Sequence, residues 1–166
     1  MGRIVVGVDG SGPSKAALAW ALGQAKLTGA TVEAVLAWHY PVIVTGMPFA
    51  PVPVLQSDFA AQAEQILQDA MADVLPADSP VKVTAAAREG NAAQVLTGCS
   101  DDADLLVVGN RGYGGFTEAL VGSVSQHCVH HARCPVVVVR DGDQNGREHP
   151  APDVEEQDVG AGRKES

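Results

Sequence analysis

Residues 105 to 124 limit most tightly what this chain can fold into. Four apolar residues, Leu105-Leu106-Val107-Val108, run directly into Gly109-Asn110-Arg111-Gly112-Tyr113-Gly114-Gly115, and a second small pair, Gly122-Ser123, follows. The apolar run is short, uncharged, β-compatible and stopped by glycine, which predicts a buried strand. Beyond Gly122 the sequence Ser-Val-Ser-Gln-His-Cys-Val-His-His contains no breaker and predicts a helix. A strand therefore hands the chain to a glycine-rich loop, and the loop hands it to a helix start. Glycine lets backbone approach a ligand closely. The unpaired amides and dipole of a helix N-terminus favour an anion. Ser123 and Ser125 add hydroxyls in the first turn, and Arg111 offers a cation. The same residues also read as a flexible loop in which Ser123 only caps the helix. Local pattern does not separate the two readings.

The rest of the chain alternates in the same way. Arg3–Val8 is a continuous β-branched run ending in Asp9-Gly10-Ser11-Gly12-Pro13, with Pro13 near the first position of a helix that carries Leu18, Ala21, Leu22 and Ala25 and stops at Gly29. Thr31–Trp38 predicts a second strand. His39–Leu55 holds four prolines and predicts a long surface loop, read as a variable insertion. Gln56–Leu75 predicts a helix whose Phe59, Ala63, Ile66, Leu67, Ala70 and Val74 form one core-facing stripe. Val81–Ala87 predicts a third strand, Gly90-Asn91 the cap of a short helix bearing Val95, Leu96 and Cys99, and Pro135–Arg140 a fifth strand. Strands alternating with helices imply one open, doubly wound parallel sheet of five strands with helices on both faces.

Composition sets the limits of that domain. At 166 residues there is room for one core, and with 46% hydrophobic but only 4% aromatic residues that core must be aliphatic. The net charge of −9 argues against nucleic acid as a partner. From Asp141 onward eight acidic residues face three basic ones and periodicity disappears, so 141–166 predicts an acidic, disordered tail after a domain spanning 1–140. No run is long enough to span a bilayer, no leader or myristoylation pattern opens the chain, and three cysteines without framework spacing fit a reducing compartment. The expectation is a cytoplasmic protein without a membrane partner.

Three blocks together resemble the universal stress protein family, in its ATP-binding subgroup. They are Ile4-Val5-Val6-Gly7-Val8-Asp9-Gly10-Ser11, the spacing Gly109-x2-Gly112-x9-Gly122-Ser123, and His130-His131-Ala132-Arg133-Cys134-Pro135 followed by Val136–Val139 and Arg140. The resemblance covers roughly residues 1–140. It implies strand order 3-2-1-4-5, which brings Asp9 and Gly109 to one crevice at the point where the order reverses. It further implies that Gly7, Val8 and Asp9 line the nucleoside, that Trp38 offers backbone to adenine, and that Val108, Gly109 and Gly112 border ribose and phosphate. Gly122, Ser123 and Val124 would receive the phosphates, with ATP as ligand and Mg2+ held by those phosphates. Asp9 would contact the ribose, although it also reads as a stabiliser of the turn into the first helix. Gly7 stands where some members have proline, and Trp38 is bulkier than the usual aliphatic residue. The resemblance implies a homodimer through the last strand, and Val136–Val139 would otherwise leave an apolar sheet edge exposed; the run also reads as an internal strand.

Other motifs lead less far. Gly7-x4-Gly12 opens like a P-loop, but Pro13-Ser14 stands where Lys-Ser or Lys-Thr is needed. Among His127, Cys128, His130, His131 and Cys134, only His127 and His131 share a helix face, and no second ligand pair accompanies them, so a structural role is expected there. Cys99 and Cys128 read as buried, and His39 as an exposed loop residue. No set of residues forms a phosphoryl-transfer centre. The expectation is an ATP-binding stress-response regulator in which nucleotide occupancy acts as a switch on an unknown partner. A slow ATPase using the same pocket and a nucleotide-free interaction protein are the alternatives.

Overall fold

The structure, a computed structural model, describes residues 2–39, 56–111 and 121–140, and of residues 56–58 only the backbone. The expectations placed on the proline-rich loop, on Gly112 and on the acidic tail fall outside the described residues. The elements run β1 (Arg3–Gly7), α1 (Gly12–Thr28), β2 (Thr31–Trp38), α2 (Gln56–Val74), β3 (Val83–Glu89), α3 (Ala92–Cys99), β4 (Leu105–Gly109), α4 (Ser123–His131) and β5 (Val136–Val139). A single 3-10 turn, Ser100–Asp102, separates α3 from β4.

All pairings are parallel, and the order is β3-β2-β1-β4-β5, as expected. The pleat divides the strand residues between two cores. Ile4, Val6, Val32, Ala34, Leu36 and Val107 pack with α1 residues Ala17, Leu18, Ala21 and Leu22 and α2 residues Ala63, Leu67 and Ala70. Val5, Val35, Leu106 and Val108 pack on the other face with Leu96, Cys99 and Cys128 of α3 and α4. Strands buried on both faces explain the unbroken apolar runs in the sequence. Each fully buried side chain such as Leu18 or Leu106 contributes roughly 1.5–3 kcal/mol of transfer free energy. Alanines at 17, 21 and 25 keep α1 close to the sheet, and the helix stops at Gly29, which takes φ 69° and donates its amide to Ala25.

Two expectations shift. The third strand is Val83–Glu89 rather than Val81–Ala87, because its ladder follows β2 as far as Trp38, opposite Glu89. Ile66, assigned to the core stripe, is 42% exposed. Ala63, Leu67 and Ala70 already fill the buried arc of α2, and Ile66 sits one residue, about 100° of helix, off Leu67.

Candidate functional site

The order reverses between β1 and β4, so a crevice opens beyond their carboxyl ends, flanked by the starts of α1 and α4. The β1–α1 junction is closed by its own side chains. Ser11 is the N-cap of α1, its hydroxyl oxygen accepting from the Ser14 amide. The Asp9 carboxylate accepts from the Ser11 amide at 3.0 Å and from the Ser11 hydroxyl. Ser14, itself buried, accepts from the Asp9 amide at 3.3 Å and donates to the Ser11 carbonyl at 3.0 Å. Gly10 turns the chain with φ 83°, a conformation that favours glycine. The turn-stabilising role of Asp9 is thus realised through one carboxylate oxygen.

The β4–α4 junction is built differently. The Asn110 amide donates to the Val139 carbonyl, and the Asn110 carbonyl accepts from the Gly122 amide, both at 2.7 Å. One hydrogen bond therefore ties residue 110 to residue 122. Gly122, not Ser123, is the N-cap of α4, and among the described residues no side-chain cap bond closes the helix start. The reading of Ser123 as the cap is corrected: it is the first helical residue and is exposed. The Gly122 carbonyl accepts from Gln126, so the amides of residues 123 to 125 precede the first intrahelical bond. Val124 packs on the α3/α4 core and orients the turn. Ser125 is buried, and its hydroxyl donates to the Gly109 carbonyl at 2.6 Å, so its proton anchors helix to strand.

Gly109 itself is glycine for a packing reason. A Cβ there would lie 2.8 Å from the Pro13 carbonyl carbon and 2.9 Å from its oxygen. At Gly7 a Cβ would crowd the flexible tip of Leu96 at 2.8 Å and touch Val108 at 3.5 Å, and at Gly122 it would meet nothing closer than 3.4 Å. Val8 and Val108 are buried beneath the crevice floor. Trp38 ends β2 half-buried, and its carbonyl accepts from the Gly90 amide at 2.7 Å, so that carbonyl already has a donor. Arg111 is exposed, and Gly112 lies outside the described residues. Ser11, Pro13, Ser14 and Asn110 were not anticipated as site residues. A Ser two places before a Pro at a helix start signals the first three. Nothing in the sequence marks Asn110, whose side-chain oxygen is buried with no hydrogen-bond partner among the described residues.

The remaining candidates lie elsewhere. His39 is exposed. All three cysteines are free thiols: Cys99 and Cys128 are buried, and burial pushes the Cys128 thiol up to about 11. No three His, Cys, Asp or Glu residues come together as a metal-holding group among the described residues. No described helix is long and apolar enough to cross a membrane.

Known proteins share this fold. A universal stress protein of Mycolicibacterium smegmatis is 38% identical over 146 residues, covering 85% of this chain and 49% of its own length. The chain spans about half the length of the curated relatives it matches. A universal stress protein solved in complex with cAMP superposes with TM-score 0.62 at 26% identity, over 84% of this chain and 97% of the other. The universal stress protein of Archaeoglobus fulgidus in complex with dAMP superposes with TM-score 0.60 at 22% identity, over 84% and 98%. The sequence model of the universal stress protein family matches residues 1–140, and the chain belongs to that family.

Proposed function

We propose that the chain binds an adenine nucleotide, ATP in the first instance, in the crevice between β1 and β4, and that occupancy serves as a regulatory signal in the stress response. The observation that carries this reading is the start of α4: its glycine N-cap supplies no side-chain acceptor to the first-turn amides among the described residues, in a family whose solved members include complexes with cAMP and dAMP. On this reading Gly122 and the amides of Ser123, Val124 and Ser125 receive the phosphates, with Arg111 and Gly112 beside them. Ser125 holds the turn in place through Gly109 rather than through its own contact with the ligand. Asp9 faces the ribose from the turn that its bonds with Ser11 hold in place. Gly7, Val8, Trp38 and Val108 border the nucleoside. Mg2+ enters with the phosphates that carry it.

The homodimer belongs to the same proposal. β5 is an edge strand with β4 as its neighbour, and each of its four valines is half-buried, which supports a second copy covering it. The free thiols support a cytoplasmic location. The test is mass spectrometry of small molecules released from freshly purified, denatured protein, followed by calorimetric titration of the emptied protein with ATP. Recovery of an adenine nucleotide and saturable one-site binding are expected. Absence of both overturns the reading.

A further inference from the structure

The crevice between β1 and β4 has a wall on its β2 side. β1 stops at Gly7, level with Val35 of β2, and the Val8 amide just beyond donates to the Val35 carbonyl at 2.8 Å. β2 runs on for three more residues to Trp38, which pairs with Glu89 of β3. At about 3.3 Å per residue, Trp38 stands about 10 Å beyond the end of β1. Its main chain faces away from the crevice. The Val35 carbonyl points to β1, whereas the Trp38 carbonyl points to β3 and accepts from the Gly90 amide at 2.7 Å. The indole goes elsewhere: it packs against the α1/α2 core, to which Val8 beneath the crevice floor also belongs, and it is half-buried there rather than enclosed.

We propose that the Trp38 indole stacks on the base of the bound nucleotide and makes the site prefer purines to pyrimidines. This rests on the nucleotide reading, and it adds what selects the base. Neighbouring strands lie about 4.8 Å apart, so β2 and β4 are about 10 Å apart across β1. A nucleotide with its phosphates at the start of α4 covers that span with its sugar over β1 and its base against β2. The order sets the sugar beside Asp9 and the base beside Trp38. With the Trp38 carbonyl turned to β3, the side chain is the part of this residue that can reach a base. An indole offers a flat, polarisable face on which a base stacks, and an aliphatic side chain at this position offers none. The two fused rings of a purine cover more of that face than the single ring of a pyrimidine. Stacking therefore separates the two classes of base, and it does not separate adenine from guanine.

The test combines fluorescence with calorimetry on the full, nucleotide-free chain. There are two tryptophans, Trp20 on α1 and Trp38, so Trp20→Phe leaves Trp38 as the only indole. Titration of that variant with ATP should quench its fluorescence with the same midpoint that calorimetry gives. Wild type should bind ATP about tenfold more tightly than CTP. In Trp38→Leu the affinity for ATP should fall about tenfold and that for CTP by less, so the preference shrinks towards parity. Thermal melts without nucleotide check folding. Trp38→Phe, which keeps a smaller ring on the core, replaces the leucine variant if that one melts early, and it should retain part of the preference. Saturable ATP binding with unquenched Trp38 fluorescence, or with the same ATP-to-CTP ratio in wild type and Trp38→Leu, overturns this inference and leaves the nucleotide reading standing. No binding of either nucleotide by wild type overturns both.

Discussion

The two strand-to-helix junctions at the switch point start from similar sequence and end differently. After β1 the chain spends its polar side chains on itself: Asp9, Ser11 and Ser14 satisfy one another and the first amides of α1. After β4 the serines come too late in the turn to do so. Gly122 occupies the cap, Ser123 points outward as an exposed residue, and Ser125 donates to Gly109. A one-residue offset of serine relative to the helix start thus decides whether a helix dipole is quenched internally or left for an anion. On the proposed reading, it is the lack of a capping side chain at residue 122, more than glycine's flexibility, that suits the second junction to phosphate.

The sharpest way to break this contrast is to cap α4. A Cβ at Gly122 meets nothing closer than 3.4 Å, so Gly122→Asp is sterically admissible. Its carboxylate would satisfy the first-turn amides as Ser11 does for α1, and would repel phosphate. Nucleotide affinity should fall at least about 100-fold, while the melting temperature is unchanged or higher. Calorimetry and thermal denaturation read the two quantities separately. A loss of affinity accompanied by a loss of stability would mean that the residue serves the fold rather than the anion.

Gly109 should show the opposite signature. Because its missing Cβ accommodates Pro13 backbone, Gly109→Ala should cost about 1–3 kcal/mol whether or not nucleotide is present. Urea denaturation of the nucleotide-free protein measures it. An unperturbed midpoint would show that β4 and α1 can part without penalty.

These two glycines also show what the sequence could reveal. Both belong to one spacing, Gly109-x2-Gly112-x9-Gly122-Ser123, and the sequence reading treated both as part of the ligand cradle. The course of β2, the stop at Gly29 and the cap at Asn91 were legible because periodicity and capping chemistry act locally, whereas the strand order followed from the family resemblance and from no local pattern. What Gly109 packs against depends on α1, nearly a hundred residues earlier, and no local pattern carries that. The bond from Ser125 to Gly109 and the burial of the Asn110 side-chain oxygen, unpartnered among the described residues, are likewise products of the assembled sheet. The two-residue shift of β3 has the same origin, since the partner strand sets where the ladder ends.

Removing one hydroxyl at each junction gives a smaller, paired comparison. Ser11→Ala deletes the α1 cap and should cost about 1 kcal/mol. Ser125→Ala strands the Gly109 carbonyl and should cost a similar amount, roughly 1 kcal/mol. The difference should lie in binding: only Ser125→Ala loosens the turn that presents amides to phosphate, lowering affinity by several-fold. Equal effects of the two variants on affinity would erase the distinction between a closed and an open junction.

The smallest effect comes from a charged contact that belongs to neither junction. Glu33 lies on the α3/α4 face of β2 and accepts from Arg3 at 2.6 Å and from Arg88 at 2.8 Å, tying three strands together. Burial opposes its ionisation, but hydrogen bonds from Arg3 and Arg88 outweigh that and hold the carboxyl below its ordinary value. A carboxylate depressed in the folded state contributes stability above its unfolded pKa of about 4.3, and that contribution is lost as pH falls through the folded value. Arg88 is half exposed, so solvent screens the pair, and Glu33→Gln should cost only about 0.5–1 kcal/mol at neutral pH. The gap between variant and wild type should narrow as denaturation is repeated at pH values below about 4.3, with nucleotide affinity unchanged throughout. A gap that persists undiminished in acid would mean that Glu33 acts by packing its methylenes rather than by its charge. A change in affinity would mean that the crevice responds to strain from the middle of the sheet, and the two junctions could no longer be treated as separate devices.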